Sequence, residues 1–389
     1  MSSTSFLARL LTGVPPGKWV AIRHDRAEVI GHADDSAAAE ALAHEAGDAD
    51  PIVMKVPAAA DSLLARRRAV TREPLYEVIA MAIAEGGVVP FLGAGASLVG
   101  RPPGALFDAR RAPFMPSTYE LTEFVGEKSH YPKGDLPDSD LARVSSFMVL
   151  QGGPHALNAV LKSALGPIEA GRKSRCEPGA LHHFLAREQR IRLVLTTNYD
   201  SLVEDAYQAA ERDYDLLIYP SPKIDRRGSV MRVQCRFVDK VASETVDHLD
   251  PRTLGLSLET SVIFKMHGSL KSNSYVITEE DYLDFLKLMG SAVPPTLLDY
   301  IRSQSLLFLG YGLKDWNLRL LLHNLEPLNT GWAVQREATE AESVLWNRRN
   351  ISIFQSDIDD FVRGLQPYLD PPAPPAQTLP AGPPPEGRP

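Results

Sequence analysis

Val88-Val89-Pro90-Phe91-Leu92-Gly93-Ala94-Gly95-Ala96-Ser97 is an apolar run that ends in a glycine-rich turn. Three further runs end in comparable motifs. Arg192-Leu193-Val194-Leu195 leads into Thr196-Thr197-Asn198-Tyr199-Asp200, and Val262-Ile263-Phe264-Lys265-Met266 into His267-Gly268-Ser269. Leu306-Leu307-Phe308-Leu309 leads into Gly310-Tyr311-Gly312. In an open parallel sheet, ligands bind in the crevice beyond the carboxyl ends of the strands. Four strand ends bearing glycine, Asn, Asp and His therefore predict one shared nucleotide pocket with chemistry in it.

Around these motifs, strands alternate with helices from Val88 onward. That rhythm predicts an α/β fold, a Rossmann-like parallel sheet with right-handed crossovers and helices on both faces. Helices over 200–211 and 315–325 start directly after motif-bearing strand ends. Gly331-Trp332-Ala333-Val334 and Ile351-Ser352-Ile353-Phe354 read as later strands. Residues 58–87 read as helical, with Leu75, Val78, Ile79 and Ala82 on one apolar face. The stretch from about 117 to 187 is mostly helical, with Ser117, Asp138 and Pro154 as start signals. It interrupts the βα rhythm and reads as an insertion or lid beside the first motif. Between 220 and 260 the alternation from Met231 to Val238 suits a single half-exposed edge strand.

The sequence divides into three parts. Residues 1–57 form a small ββαβ module: strands at Trp19-Val20-Ala21-Ile22 and Glu28-Val29-Ile30, an Ala-rich helix capped by Ser36 and stopped by Gly47, and a strand at Ile52-Val53-Met54-Lys55-Val56. It carries no cluster of chemical side chains, so docking, oligomerisation and a structural cap all fit it. Residues 58–370 hold the motifs. Residues 371–389 contain nine prolines and almost no bulky apolar residue, a composition that favours a solvated, polyproline-like tail.

Composition narrows the classes. A length of 389 residues with 44% hydrophobic and 23% charged side chains is that of a soluble globular chain. A net charge of −8 argues against a general nucleic-acid binder, so no direct nucleic-acid binding is expected. No apolar run reaches the roughly 20 residues that span a bilayer, and no signal-peptide pattern opens the chain. Cys176 and Cys235 are the only cysteines. A four-thiolate zinc site is therefore excluded, and two isolated cysteines fit the cytoplasm.

Each motif has a chemical and a plain reading. Glycines after a strand let backbone amides approach a phosphate, and tight strand-to-helix turns use them too. Asn198 is suited to holding a ribose hydroxyl or a water by paired hydrogen bonds. Asp200 suits a helix cap or an acceptor for a carboxamide, and the two roles are compatible. His267, between a strand end and a Gly-Ser turn, suits proton abstraction near neutral pH. His182 and His183 lack such a setting.

The ordered set GAGAS, TTNYD, KMHGS and FLGYGLKDWN resembles the sirtuin (silent information regulator) fold, in its sirtuin-like NADase branch from bacterial anti-phage defence systems. The resemblance covers about 75–360. It implies that Gly93, Ala94, Gly95 and Ser97 line the NAD⁺ phosphates and adjoining ribose. Asn198 and Asp200 then face the nicotinamide ribose and carboxamide, and His267 is the general base. Thr197 stands in the cofactor-binding set where the family has glutamine, and Gly310 and Gly312 approach the adenosine half. Protein-deacylating sirtuins carry a CxxC…CxxC ribbon after the His-Gly, whereas 268–309 contain no cysteine. The family's Asp-Phe-Arg is not reproduced either; Phe107, Asp108 and Arg110 lie nearby in another order.

The implied activity is that of a hydrolase, an NAD⁺ glycohydrolase releasing nicotinamide and ADP-ribose or a cyclic isomer. NAD⁺ is its substrate, zinc is not expected, and abortive infection is the implied setting. A homo-oligomer and a partner defence protein such as a HerA-type ATPase are expected, and membrane association is not. The alternatives are an NAD-dependent deacylase or ADP-ribosyltransferase using the same pocket, and a non-enzymatic subunit sensing NAD or ADP-ribose.

Overall fold

The computed structural model describes residues 14–15, 18–23, 28–48, 51–55, 75–132, 134, 140–168, 174–219, 229–251, 259–312, 322 and 329–370. The expected tail over 371–389, residues 58–74 of the expected helix and all of 315–325 but Leu322 lie outside them. Contacts divide the chain into two units, Met1–Thr71 and Arg72–Pro389.

The first unit has the ββαβ order. Strand β1 (Trp19–Arg23) is central and pairs antiparallel with β2 (Glu28–Ala33) and β3 (Ile52–Lys55). Helix α1 (Ser36–Glu45) buries Ala39 and Ala43. Its cap is Asp35 rather than Ser36: the Asp35 side chain accepts from the Ala38 N–H at 2.8 Å. Carboxylate and hydroxyl both cap well, so the adjacent Asp-Ser pair is ambiguous in sequence.

The second unit is built on a nine-stranded mixed sheet in the order β14-β13-β12-β4-β5-β9-β6-β7-β8. Its parallel part comprises β4 (Val88–Leu92), β5 (Leu193–Thr196), β6 (Tyr214–Ile218), β9 (Ser261–Lys265), β12 (Ser305–Leu309), β13 (Gly331–Gln335) and β14 (Ile351–Gln355). Strand residues alternate between two cores, as a sheet covered on both faces requires. Phe91, Leu195, Phe264 and Phe308 face the core shared with α7 (Glu279–Ala292), α8 (Pro295–Ser303) and α9 (Glu340–Asn347). Leu92, Val194, Ile263 and Leu307 face the core shared with α2 (Tyr76–Ala84), α5 (Ala180–Arg187), α6 (Leu202–Ala209) and α10 (Ile358–Leu369). Pro90 sits in central β4, where it has no N–H for a ladder. The ladder from β4 to β5 is confined to Phe91 and Leu92, beyond it.

Two expectations are corrected. Strand β7 (Val230–Val238) is not an edge: it lies between β6 and β8 (Val241–Leu249), and β8 is the edge. Strand β8 is exposed on both faces along most of its length, so its sequence has no apolar alternation to betray it. On α2 the buried residues are Ile79, Ala80 and Ile83, while Leu75 and Val78 are exposed. The segment is apolar nearly all round, so packing rather than periodicity chose the inward side.

The insertion comprises α3 (Thr118–Lys128) and α4 (Leu141–Leu165). Ser117 and Glu120 form a reciprocal capping box on α3. Helix α4 breaks at Gly153, φ 75°, and resumes with Pro154. Its core includes Leu157, Leu161, Leu202 and Tyr275. That contact sets the insertion against the start of α6 and the small hairpin of β10 (Gly268–Ser269) and β11 (Ser274–Tyr275), at the carboxyl end of the sheet.

Candidate active site

After β4 the chain builds β5 to β9 on one side of that strand, and after β9 it returns to build β12, β13 and β14 on the other. The sheet's topological switch point is therefore between β4 and β12, where this class of sheet opens its crevice. A cavity of about 400 Å³ lies there, lined by Gly95, Gly310, Tyr311, Gly312, Gln335 and Asp357 among others. Arg336 and Asp357, both lining it, pair at 2.8 Å.

The glycines at the switch point are required by each other. Gly93 N–H donates to Leu309 O at 3.0 Å, Gly95 N–H to Gly310 O at 2.9 Å, and Ala96 N–H to Gly93 O at 2.9 Å. A Cβ on Gly93 would lie 2.8 Å from Gly310 O, and one on Gly95 2.9 Å from Gly310 Cα. At Gly310, φ is +76° and a Cβ would lie 2.1 Å from Ala96 N. The N–H groups of Gly93, Gly95 and Ala96 are thus used inside the protein and do not point at a ligand. Gly310→Ala is expected to cost about 2 kcal/mol or more, combining left-handed backbone strain with the clash. Gly312→Ala, whose Cβ meets nothing within 4 Å, serves as the neutral control in the same thermal melts. Equal melting temperatures for the two variants would refute the close approach.

The loop after β5 is tied to its neighbours residue by residue. Thr196 Oγ1 donates to Leu92 O at 3.2 Å, and Thr197 Oγ1 meets Tyr311 Oη at 2.7 Å. Asn198 Nδ2 donates to Gly93 O at 2.9 Å and to Ser97 Oγ at 2.8 Å. Ser97 Oγ donates in turn to Asp200 Oδ2 at 2.6 Å, while Asp200 Oδ1 accepts from Leu202 N–H at 3.1 Å. Both Asp200 oxygens are therefore engaged within the protein; the N-cap position of α6 is Ser201, and Asp200 holds the first helical N–H from one residue before it. With its NH₂ group committed, Asn198 Oδ1 accepts no hydrogen bond from the described residues.

Lys265 explains how this loop is held, and its role was not read from sequence. It is 1% exposed, donates to the backbone carbonyls of Asn198 (3.3 Å) and Asp200, and pairs with Glu204 at 3.1 Å. Burial pushes the Glu204 carboxyl up, and the Lys265 ammonium opposes that shift. A lone lysine inside an apolar strand run was the available signal, because buried lysines need partners. Tyr311 was missed in the same way. Its ring packs on Phe91 and Phe308 while its hydroxyl reaches Thr197.

His267 follows β9 on the strand beside β5 and is 7% exposed. Its ring is edge-on to Tyr282 at 5.3 Å and to Phe285 at 5.2 Å. Burial pushes its imidazole down to about 3, which favours the uncharged form. Gly268, φ +84°, lets the β10–β11 hairpin fold back: a Cβ there would lie 1.9 Å from Ser274 O. His182, by contrast, caps its own helix, with Nδ1 accepting from Gly179 N–H at 3.1 Å.

The segment carrying Phe107, Asp108 and Arg110 is closed by two arginines. Arg101 makes a two-point contact with Glu120, 2.6 and 2.5 Å, and holds that carboxyl down to about 2. Arg175 reaches the carbonyls of Ala109 and Ala112 and stacks over Phe107.

The structure thus joins Gly93, Gly95, Ser97, Thr197, Asn198, Asp200 and Gly310 in one hydrogen-bonded cluster, with exposed Ala94 on the first loop. Gly312 lines the cavity, and His267 stands at the adjacent strand end outside the hydrogen-bonded cluster. Among the described residues no group of three or more His, Cys, Asp or Glu side chains is placed to hold a metal. Nor is any described helix long and apolar enough to cross a membrane. No curated protein matches the chain. Residues 192–354 match the family described as the SIR2-like domain; this range runs from the start of β5 almost to the end of β14 and takes in three of the four motifs, the GAGAS turn lying before it. The nine-stranded α/β sheet with its switch-point crevice is Rossmann-like, and the part of it over 192–354 is similar to the SIR2-like domain.

Proposed function

We propose that the chain is an NAD⁺ glycohydrolase. SIR2-like domains are in general NAD-dependent enzymes, and the observation that carries the finer reading is Asn198. Its NH₂ is locked to Gly93 and Ser97, and its acceptor oxygen is left for substrate, one strand from the neutral imidazole of His267. In the reaction the bond from ribose C1′ to the nicotinamide nitrogen breaks, and nicotinamide leaves with the electron pair. The oxocarbenium-like centre takes up water, which loses a proton. Asn198 Oδ1 accepts from the ribose hydroxyl or the attacking water and orients it. His267 takes the ribose hydroxyl proton as positive charge develops, and the proton shed by the attacking water restores that hydroxyl, so one proton is released net. The products are nicotinamide and ADP-ribose, or a cyclic isomer where an internal nucleophile replaces water. Ala94 and Gly312 lie at the phosphate and adenosine ends of this pose.

An unregulated enzyme of this kind depletes its host's NAD⁺. That consequence supports an abortive-infection role against phage, a cytoplasmic location, and control by self-association or by a partner such as a HerA-type ATPase. The deacylase alternative is disfavoured because 268–309, where the zinc ribbon would stand, contain no cysteine.

The test is nicotinamide release from NAD⁺ by the purified full-length chain, with and without an acetyl-lysine peptide and with EDTA. Release is expected without peptide and unchanged by EDTA, since the leaving group needs no Lewis acid. Release only with peptide would establish the deacylase, and binding of NAD⁺ without turnover the sensor. Loss of activity with EDTA, restored by zinc, would overturn the metal-free reading.

A further inference from the structure

The nine-stranded sheet ends on β8, and among the described residues no strand pairs with its outer edge. Val241 is 69% exposed and Val246 49%. Edge strands ordinarily carry a device against pairing with another chain: short length, proline, a bulge, or unbalanced charge. Strand β8 has none of these in force. It is nine residues long, lacks proline, and pairs with β7 without a register break from Val241 to Leu249. Its two carboxylates are balanced from within the chain, Glu244 by Lys271 at 2.6 Å and Asp247 by Arg232 at 3.0 Å.

The hairpin geometry fixes which backbone groups face outward. Asp239 and Lys240 both have positive φ, 50° and 67°, so they form the two-residue type I′ turn. Val238 and Val241 flank it as partners, which in such a turn is a hydrogen-bonded pair. Alternation then turns the N–H and C=O of Ala242, Glu244, Val246 and His248 away from β7. These positions are symmetric about Thr245. Two antiparallel copies of β8 related by a two-fold axis through Thr245 pair Ala242 with His248 and Glu244 with Val246. The ladder so formed has about eight hydrogen bonds. Between those pairs, Val241 meets Leu249, Ser243 meets Asp247, and Thr245 meets its own copy. No like charges are opposed, and Thr–Thr and Ser–Asp pairs are favourable cross-strand neighbours. Moving the axis to residue 244 opposes Glu244 to Glu244, moving it to 247 opposes Asp247 to Asp247, and every shift shortens the ladder.

We propose that β8 is the self-association edge of this protein, its occupant a second copy of the chain, joining two nine-stranded sheets into one across a two-fold axis at Thr245. The contact is isologous, so it closes as a dimer rather than propagating into a fibre. It stands independently of the catalytic reading.

Val246→Pro deletes an outward N–H while leaving the ladder to β7 intact. The full-length protein at micromolar concentration is expected to sediment as a dimer, and Val246→Pro as a monomer with the same melting temperature. Thr245 faces its copy in a non-hydrogen-bonded pair, where Cα atoms approach to about 4.5 Å, within disulfide reach. Thr245→Cys should therefore give a cross-linked dimer on mild oxidation. Ser243→Cys alone should give none, while Ser243→Cys mixed with Asp247→Cys should cross-link. The native chain is the background control, with Cys235 buried and Cys176 half-buried. A monomer throughout overturns the proposal, and so does a dimer that survives Val246→Pro without the Thr245→Cys cross-link. If Val246→Pro does not fold, the cysteine pattern alone decides.

Discussion

His267→Ala and Asn198→Ala are each expected to lower nicotinamide release from NAD⁺ by about 10²- to 10⁴-fold, the range of a general base or a positioned polar group. The two losses have different physical origins. His267 is buried among Tyr282 and Phe285 and its imidazole makes no hydrogen bond with the described residues, so its removal takes away the proposed proton acceptor and a modest packing contribution. Asn198→Ala also strips donors from Gly93 O and Ser97 Oγ. That adds roughly 1 kcal/mol per lost bond to its stability cost. A lower melting temperature in Asn198→Ala beside a near-native one in His267→Ala, with both inactive, is the expected pattern. Near-native turnover in His267→Ala at an unchanged melting temperature would end the proposed mechanism.

Lys265→Met is expected to be the most destabilising single change at the site, by about 3–5 kcal/mol, because it strands the buried carboxylate of Glu204. The sign of its pH dependence follows from linkage. Burial already raises the Glu204 carboxyl in the folded protein, and the opposing pull of Lys265 is lost in the variant. The folded variant then holds a proton on Glu204 across a window in which the unfolded chain has released it. Stability therefore falls as pH rises from the unfolded carboxylate value towards the raised folded one. Lys265→Met should thus be closer to native stability at pH 5 than at pH 8. Adding Glu204→Gln should remove that dependence and recover part of the loss. A variant equally destabilised at both pH values would show that Glu204 is not the group left uncompensated.

Much of the framework was legible in the sequence. Apolar runs ending in Gly, Asn or His predicted β4, β5, β9 and β12 and put all four motifs at one end of the sheet. Ser117 announced the start of α3, and Pro154 the point at which α4 resumes. These are local signals, because a strand buried on both faces and a helix cap are each written within a few consecutive residues. The match over 192–354 agrees with that reading, and the mixed nine-stranded sheet carries it out.

What stayed hidden is non-local. Apolar α2 left open which side turns inward, and β8 carried no alternation because neither of its faces is covered. The glycines of the first motif read as a cradle for phosphate, yet Gly93 and Gly95 are held to Leu309 and Gly310 of a strand end more than 200 residues away. Ser97 and Asp200 are 103 positions apart, and Lys265 lies 65 from the carbonyl of Asp200 that it grips. The sequence by itself determined the strand ends and the side chains placed on them, since hydrophobic period and turn chemistry act over short spans. Only the tertiary structure decided which donors are consumed internally, the Asn198 NH₂ among them, and that burial pushes the His267 imidazole down. Hydrogen-bond partnership and desolvation are properties of what surrounds a group in space.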